Sequence, residues 1–309
     1  MDYSSGYLAQ IKLLLQILPV INQQDCFALK GGTAINLFVR DMPRLSVDID
    51  LTYLPIEPRD QFLKNITQAL EVLSANIQQM GKGKYHVEKV FTKEPRQLAK
   101  LIVSHDGVRI IIEPNLILRG TVFEYETREL CQSAQNDFLS FSTIKTLSFA
   151  DLFGGKICAA LSRQHPRDLF DVKILLENEG ITEFVRQAFV VYLASNPRPM
   201  HELLNPKLDV EEIKRIFEES FFGMTKEPVL CEQLIETRHQ LVKIILKSLT
   251  ENERKFLLSV KEGNPNWKLI PIEGLDKLPG LVWKRLNIGK MDPAKHRTAL
   301  EKLKRVLQL

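Results

Sequence analysis

Four cysteines are spread singly through the 309 residues, at Cys26, Cys131, Cys158 and Cys231, and no C-x-x-C pair occurs. That scatter argues against a disulfide framework and against a thiolate zinc site. It leaves buried free thiols in a reducing compartment as the reading for Cys26 and Cys158, which lie in apolar company. The six histidines show no ligand spacing. No run approaches the roughly 20 apolar residues of a membrane span. The stretch MDYSSGYLAQIKLLLQILPV lacks a basic n-region and a small-residue cleavage site, so a helix is expected there rather than a signal peptide, and the protein is expected to be cytoplasmic with no membrane partner. There is no internal repeat and no low-complexity segment. At this length and with 44% hydrophobic residues, the chain can form two modest domains.

What is present is concentrated between Phe27 and Leu51, FALKGGTAINLFVRDMPRLSVDIDL. A short apolar strand runs into Gly31-Gly32, where the chain must turn tightly and backbone can approach a ligand closely. Thr33 then stands where a helix N-cap belongs, and the helix Ala34 to Arg40 is expected to aim its first free N–H groups at phosphate oxygens. The loop from Asp41 to Ser46 returns the chain to a second strand, Val47 to Leu51. Side chains alternate along a strand, so Asp48 and Asp50 share one face while Val47, Ile49 and Leu51 share the other. Two carboxylates a few ångströms apart repel by roughly 1 to 4 kcal/mol at effective dielectrics of 80 to 20. A divalent cation resolves that repulsion, because Mg²⁺ takes one or two carboxylates and completes its shell with water and substrate phosphate. The pattern is that of a nucleotide-handling site.

These residues carry a resemblance. Gly-Gly followed some fifteen residues later by Asp-Ile-Asp resembles the signature of the nucleotidyltransferase superfamily that includes DNA polymerase beta. LKGGTA with RLSVDIDL is similar to the narrower AbiEii/AbiGii type IV toxin family, nucleotidyltransferase-like toxins of bacterial toxin–antitoxin, abortive-infection and phage-defence systems. Thr33 follows the second glycine where the broad signature often has Ser directly after the first, and the gap to Asp48 is slightly longer than usual.

Downstream, a helix is expected from about Asp60 to Met80, with Phe62, Ile66, Leu70, Leu73 and Ile77 on one face. Three strands follow, Tyr85 to Thr92, Gln97 to Ser104 and Val108 to Pro114, the last two joined by an Asp106-Gly107 turn. Glu113 is the only acid of its strand and either meets solvent or completes a three-carboxylate cluster with Asp48 and Asp50. The resemblance favours the cluster, since the family places a Lys and an apolar residue, here Lys100-Leu101, ahead of a downstream acid. Gly154 and Gly155 lie inside an expected helix capped at Ser148, present for close packing or ligand approach. Lys156 lies in apolar surroundings that raise the question of what neutralises it, a triphosphate being one answer and a snorkelling chain another. The family's D-x-x-x-x-K motif is matched by Asp151 and Lys156, and its RDLFD-type motif by Arg167, Asp168 and Asp171, with Asp168 and Asp171 both open as the functional acid. This resemblance reaches from about Leu29 to the region of Trp283.

Beyond Glu177 the periodicity predicts helices over Ile181 to Ser195, Val210 to Phe221, Glu227 to Leu249 and Glu251 to Val260. The net charge of +4 is unremarkable, but eight Lys or Arg against Asp292 and Glu301 give residues 281–309 a charge of +6. Such a tail suits either a phosphate-backbone partner or a solvated amphipathic helix. Trp267 and Trp283 either stack on bases or pack in a core.

The expected fold is α/β, a nucleotidyltransferase-like mixed sheet with helices over residues 1–145, followed over 146–309 by an all-helical part with a basic tail that walls the site. The resemblance implies Mg²⁺-dependent transfer from an NTP to an RNA acceptor such as a tRNA 3′ end, with a cognate antitoxin acting separately. Asp48, Asp50 and Glu113 would hold metal, and Gly31, Gly32, Thr33 and Ser46 the phosphates. Lys156 would meet transition-state charge, and Asp168 would orient Lys156 or take the acceptor proton. Alternatives are a small-molecule or protein acceptor, or a nucleotide-binding regulatory protein that does not turn over.

Overall fold

In the computed structural model, residues 5–94 and 96–309 are described; the first four residues of the expected N-terminal helix lie outside them. The chain forms two compact units. The first runs to Ser148 and also takes Gly223–Pro228, and the second comprises Phe149–Phe222 and Val229–Leu309. The six-residue return to the first unit has no counterpart in the sequence expectation of a single boundary near residue 145.

Within the first unit, α1 (Ser5–Asn22) precedes β1 (Phe27–Lys30), α2 (Gly31–Ala34), β2 (Ile49–Tyr53) and α3 (Arg59–Gln79). Then come β3 (His86–Phe91), β4 (Leu98–His105), β5 (Val108–Pro114), β6 (Glu126–Glu129), α4 (Gln132–Phe138) and β7 (Thr143–Thr146). Among the described residues these strands form one seven-stranded mixed sheet in the order β3-β4-β5-β2-β1-β7-β6. β1 and β2 pair antiparallel at the centre, and each has a parallel neighbour on its outer side, β7 and β5 respectively. Phe62, Ile66, Leu70, Leu73 and Ile77 of α3 are all buried, so the 3.6-residue spacing read from sequence marks the face packed on β3 and β4. Asp106 and Gly107 both have positive φ, 48° and 77°, the primed turn geometry that matches strand twist and allows β4 and β5 to pair directly. β6 and α4 went unread because ETRE has no apolar alternation and QSAQNDF buries only Ala134.

The second unit is helical: α5 (Phe149–Arg163), α6 (Pro166–Asn178), α7 (Glu183–Ser195), α8 (Met200–Leu204), α9 (Val210–Ser220), α10 (Cys231–Ser248), α11 (Glu251–Glu262), α12 (Pro279–Gly289) and α13 (Pro293–Leu307). Among the described residues no helix is long and apolar enough to cross a membrane. Glycine decides how closely α5 meets α7. A Cβ on Gly154 would stand 2.7 Å from both the Ala188 Cβ and the Phe189 backbone nitrogen, whereas one on Gly155 would meet nothing within 4 Å. The adjacent glycines therefore differ: the first is required by packing, and the second only lowers helix propensity. Gly154→Ala should destabilise the protein by about 1 to 3 kcal/mol through overpacking. Gly155→Ala should be neutral or stabilising by up to about 1 kcal/mol. Denaturant melts of the two variants check this, and equal effects would contradict the packing assignment.

Candidate functional site

The site grows from the junction of β1 and α2. Lys30 ends the strand in extended conformation (φ −136°, ψ −173°), and Gly31 at φ +72° turns the chain straight into the helix. The helix begins at Gly31, not after Thr33, and from Ile35 to Val39 it widens into a π-helical turn. Thr33 is accordingly not an N-cap. It is buried, its hydroxyl donates to the Asp48 carbonyl oxygen, and it lies 3.1 Å from Ser46 Oγ. Thr33 and Ser46, expected at the phosphates, tie the helix start to the loop that carries Asp48.

Both glycines are required by what lies against them. A Cβ on Gly31 would come 2.3 Å from Asp50 Oδ2, and one on Gly32 would come 2.7 Å from Ser46 Oγ and 2.8 Å from Arg44 Nη2. Arg44 is buried, and its Nη1 donates to the Leu45 carbonyl at 2.8 Å. The loop is clamped from its other side by the returning segment: the Leu45 N–H donates to the Met224 carbonyl at 2.8 Å, the Lys226 N–H donates to the Pro43 carbonyl at 3.0 Å, and Arg44 and Thr225 form an antiparallel bridge.

Strand register then aligns the acids. Asp50 lies opposite Lys30 on β1 and opposite Glu113 on β5, and directly paired residues project to the same face of a sheet. Lys100 Nζ stands 4.0 Å from Glu113 Oε2 on the outer side. Lys30, Asp50, Glu113 and Lys100 thus make a row of alternating elements in which two cations flank two carboxylates. Asp48 lies one residue before β2 begins, and like Asp50 it is partly exposed, while Ile49 and Leu51 are fully buried. Lys30 was missed because it sits at a strand end, and only the pairing shows it opposite Asp50.

Among the described residues no three His, Cys, Asp or Glu side chains are gathered into a metal cage. The donor set nonetheless suits a hard cation that takes only one or two protein carboxylates. Asp50 offers a half-exposed carboxylate that no hydrogen bond or ion pair reaches among the described residues, and Glu113 lies beside it in register.

The second group of expected residues lies in the second unit. Lys156, at the middle of α5, is buried, and its Nζ is 2.8 Å from Asp168 Oδ1 and 3.0 Å from Asp171 Oδ2 on α6. Arg163 adds a two-pronged contact to Asp168. Burial alone pushes the Asp168 carboxyl up, but the charges and hydrogen bonds of Lys156 and Arg163 outweigh it and hold the group well below the usual carboxylate range. Within its own unit Lys156 is met by two carboxylates. Asp168 and Asp171, left as alternatives by the sequence, both hold the ammonium. Removing Lys156 would leave buried carboxylates short of a cation, a loss on the order of 3 to 5 kcal/mol. Asp151 is likewise buried and accepts a 2.6 Å hydrogen bond from the Tyr192 hydroxyl, which burial and then the Asp151 charge hold well above its ordinary pKa. Arg163 and Tyr192 escaped the sequence reading because neither belongs to a motif.

A model of the nucleotidyl transferase AbiEii toxin family, type IV toxin–antitoxin system, matches residues 12–257. The chain belongs to this family. The match begins earlier and ends sooner than the span Leu29 to Trp283 read from the motifs, and it includes all the site residues named above. No curated protein matches. Among solved structures, the AbiEii chain is similar to MenT4, a nucleotidyltransferase toxin from Mycobacterium tuberculosis, at 13% identity and a TM-score of 0.62, over 97% of this chain and 93% of that one. At that identity the likeness shows the fold.

Within this AbiEii chain the Gly31–Asp50 approach can be tested alone. Gly31→Ala should cost about 1 to 2 kcal/mol from positive φ, and more from displacing Asp50. In the Asp50→Ala background the second part should vanish, so the two substitutions should be non-additive in a double-mutant cycle of denaturant melts. Strict additivity would show that Asp50 does not press on the turn.

Proposed function

We propose that the protein transfers a nucleotidyl group from an NTP to an RNA acceptor with Mg²⁺ held by Asp48, Asp50 and Glu113. The observation that carries this reading is Asp50 seated against Gly31 and paired in register with Glu113, which sets a carboxylate pair beside the backbone turn. Membership in the family supports transferase chemistry and implies a nucleotide substrate and an antitoxin counterpart. We take the antitoxin to act separately.

Asp48, Asp50 and Glu113 would hold the ion, which when bound neutralises triphosphate charge and favours the ionised acceptor hydroxyl. The backbone N–H groups of Gly31 and Gly32, at the start of α2, would receive the β- and γ-phosphates, and Lys30 opposite Asp50 would add positive charge beside them. Thr33, Ser46 and Arg44 fix the loop that presents Asp48, a positioning role in place of the phosphate contact first expected of Thr33 and Ser46. Lys156, Asp168 and Asp171 are assigned to holding α5 against α6. The acceptor oxygen attacks the α-phosphorus in line and pyrophosphate leaves, so accurate placement is most of what the protein must supply.

Incubation with labelled NTPs and total RNA tests the reading, with tRNA as the first acceptor to resolve. Wild type should label RNA, and Asp50→Asn should lower the rate at least about a hundredfold, the scale of losing one preorganised electrostatic group. Label on protein or on small molecules in place of RNA, or full activity in the Asp50 variant, would overturn it.

The basic tail gives a second check. Lys295, Arg297, Lys302 and Arg305 are exposed on α13, whereas Lys284, counted with them in sequence, is buried and donates to the Asn196 and Arg198 carbonyls at 2.6 and 3.2 Å. If the four exposed cations follow the RNA backbone, replacing them with Gln should flatten the log–log salt dependence of acceptor KM by about 3, at ~0.7 per phosphate on a single strand. Parallel slopes would remove the tail from the acceptor site.

A further inference from the structure

The row that carries Asp50 continues past Glu113. Leu101 on β4 lies opposite Ile112 on β5, so in this antiparallel pair the next step along each strand brings Lys100 to Glu113, and Lys100 in turn pairs with Val90 on β3. Leu101 and Ile112 are fully buried, and alternation therefore turns Lys100 and Glu113 to the accessible face of the sheet. The Lys100 ammonium meets Glu113 at 4.0 Å, with the two side chains 33% and 57% exposed. An ion pair this long and this open to water holds its members weakly, so the lysine is available to a stronger anion.

The direction of the row gives that anion an identity, a step that rests on the transfer reading above. The N–H groups at the start of α2 and Lys30 stand on the β1 side of Asp50, and in that reading they receive the β- and γ-phosphates. In-line displacement sets the attacking oxygen opposite the leaving pyrophosphate, which sends the acceptor to the other side of Asp50, over β5 and β4. Neighbouring strands are about 4.8 Å apart, so Lys100 lies about 10 Å from Asp50 across the sheet. A terminal ribose with its 3′ hydroxyl at the carboxylates and its 5′ phosphate at Lys100 fits that interval. The hairpin that joins β3 to β4 rises from this same end of the sheet, closed by the Thr92 N–H on the Gln97 carbonyl at 2.8 Å and the Gln97 N–H on Thr92 Oγ1 at 3.0 Å. Among its described residues Lys93 and Arg96 are exposed, against the single acid Glu94. The Arg96 guanidinium carbon stands 4.8 Å from the centroid of the Phe91 ring, a stack that holds the planar fork in place at the sheet edge.

We propose that Lys100 holds the phosphate on the 5′ side of the terminal ribose of a single-stranded RNA acceptor, and that the strand then leaves over the β3–β4 hairpin, where Lys93 and Arg96 take the next phosphates. A single strand suits the place, since cations in file toward one sheet edge follow a backbone and ask nothing of base pairing. A small-molecule acceptor would end at Glu113 and make no use of the hairpin. Lys100 is on this account an acceptor-binding residue, distinct from the carboxylates that it adjoins.

Two measurements test it. The first needs no turnover: fluorescence anisotropy of a short, 5′-labelled, single-stranded oligoribonucleotide with the full chain, without NTP or divalent metal. Lys100→Gln should weaken binding about tenfold, the loss of one charge-assisted hydrogen bond, and lower the log–log salt slope by about 0.7. Lys93→Gln combined with Arg96→Gln should lower that slope by about 1.4. The second measurement compares acceptors, since a dinucleoside monophosphate carries the one phosphate assigned to Lys100 and a ribonucleoside carries none. Wild type should favour the former by at least about tenfold in kcat/KM, by the same charge-assisted bond. Lys100→Gln should erase most of that preference, and the hairpin double variant should keep it. Equal loss on both acceptors with unaltered oligonucleotide affinity would reduce Lys100 to a support for Glu113 and overturn the proposal, as would salt slopes parallel to wild type. RNA labelling with binding that ignores Lys100 would overturn the strand path alone. Oligonucleotide binding that depends on Lys100, in a protein that labels no RNA, would overturn the transfer reading and still support the path.

Discussion

The absence of one carbon atom organises the first unit. Because Gly31 has no Cβ, the Asp50 carboxylate can lie where that carbon would be, 2.3 Å from its ideal position. The same residue takes the positive φ that sends β1 directly into α2. Backbone conformation and side-chain clearance thus make the same demand at one position, and alanine would violate both. From that contact the rest follows outward. Asp50 fixes the height of β2 against β1, register carries Glu113 to the same level, and Gly32, Thr33, Ser46 and Arg44 close the loop that precedes Asp48.

A second constraint operates in the helical unit, where charge is buried deliberately and matched. The Lys156–Asp168–Asp171 trio, with Arg163 on Asp168, joins α5 to α6 through ions whose desolvation would be costly if any partner were absent. Such a cluster specifies one register of the two helices, since sliding either by a turn would strand a charge. Motif residues can therefore owe their identity to support as well as to contact with a substrate.

Much of this architecture was legible because it rests on local rules. Alternation put Asp48 and Asp50 on one face, the Asp106-Gly107 pair announced its hairpin, and the apolar spacing of α3 marked its buried side. The illegible parts depend on pairings between distant residues. Nothing near Lys30 indicates that it will stand across from Asp50, and nothing near Lys156 indicates that Asp171 will join Asp168 on its ammonium. Thr33 illustrates a local rule overridden: a hydroxyl after two glycines reads as a helix cap, but the helix starts two residues earlier and the hydroxyl turns inward to the Asp48 backbone. Lys284 misled in the opposite direction, since counting charge along the tail cannot show which lysine faces the interior.

The return of Gly223–Pro228 to the first unit also sets the order in which the chain can be completed on the ribosome. The Asp41 to Ser46 loop takes backbone hydrogen bonds from a strip made long after β7 has emerged. At about 5 to 20 residues per second, several seconds separate the synthesis of the sheet from that of its last tie. During that interval the segment leading to Asp48 is held from one side only. A nascent or prematurely terminated chain would carry the carboxylate strand without its full clamp, so the loop that leads into Asp48 reaches its finished form only after most of the length has been translated.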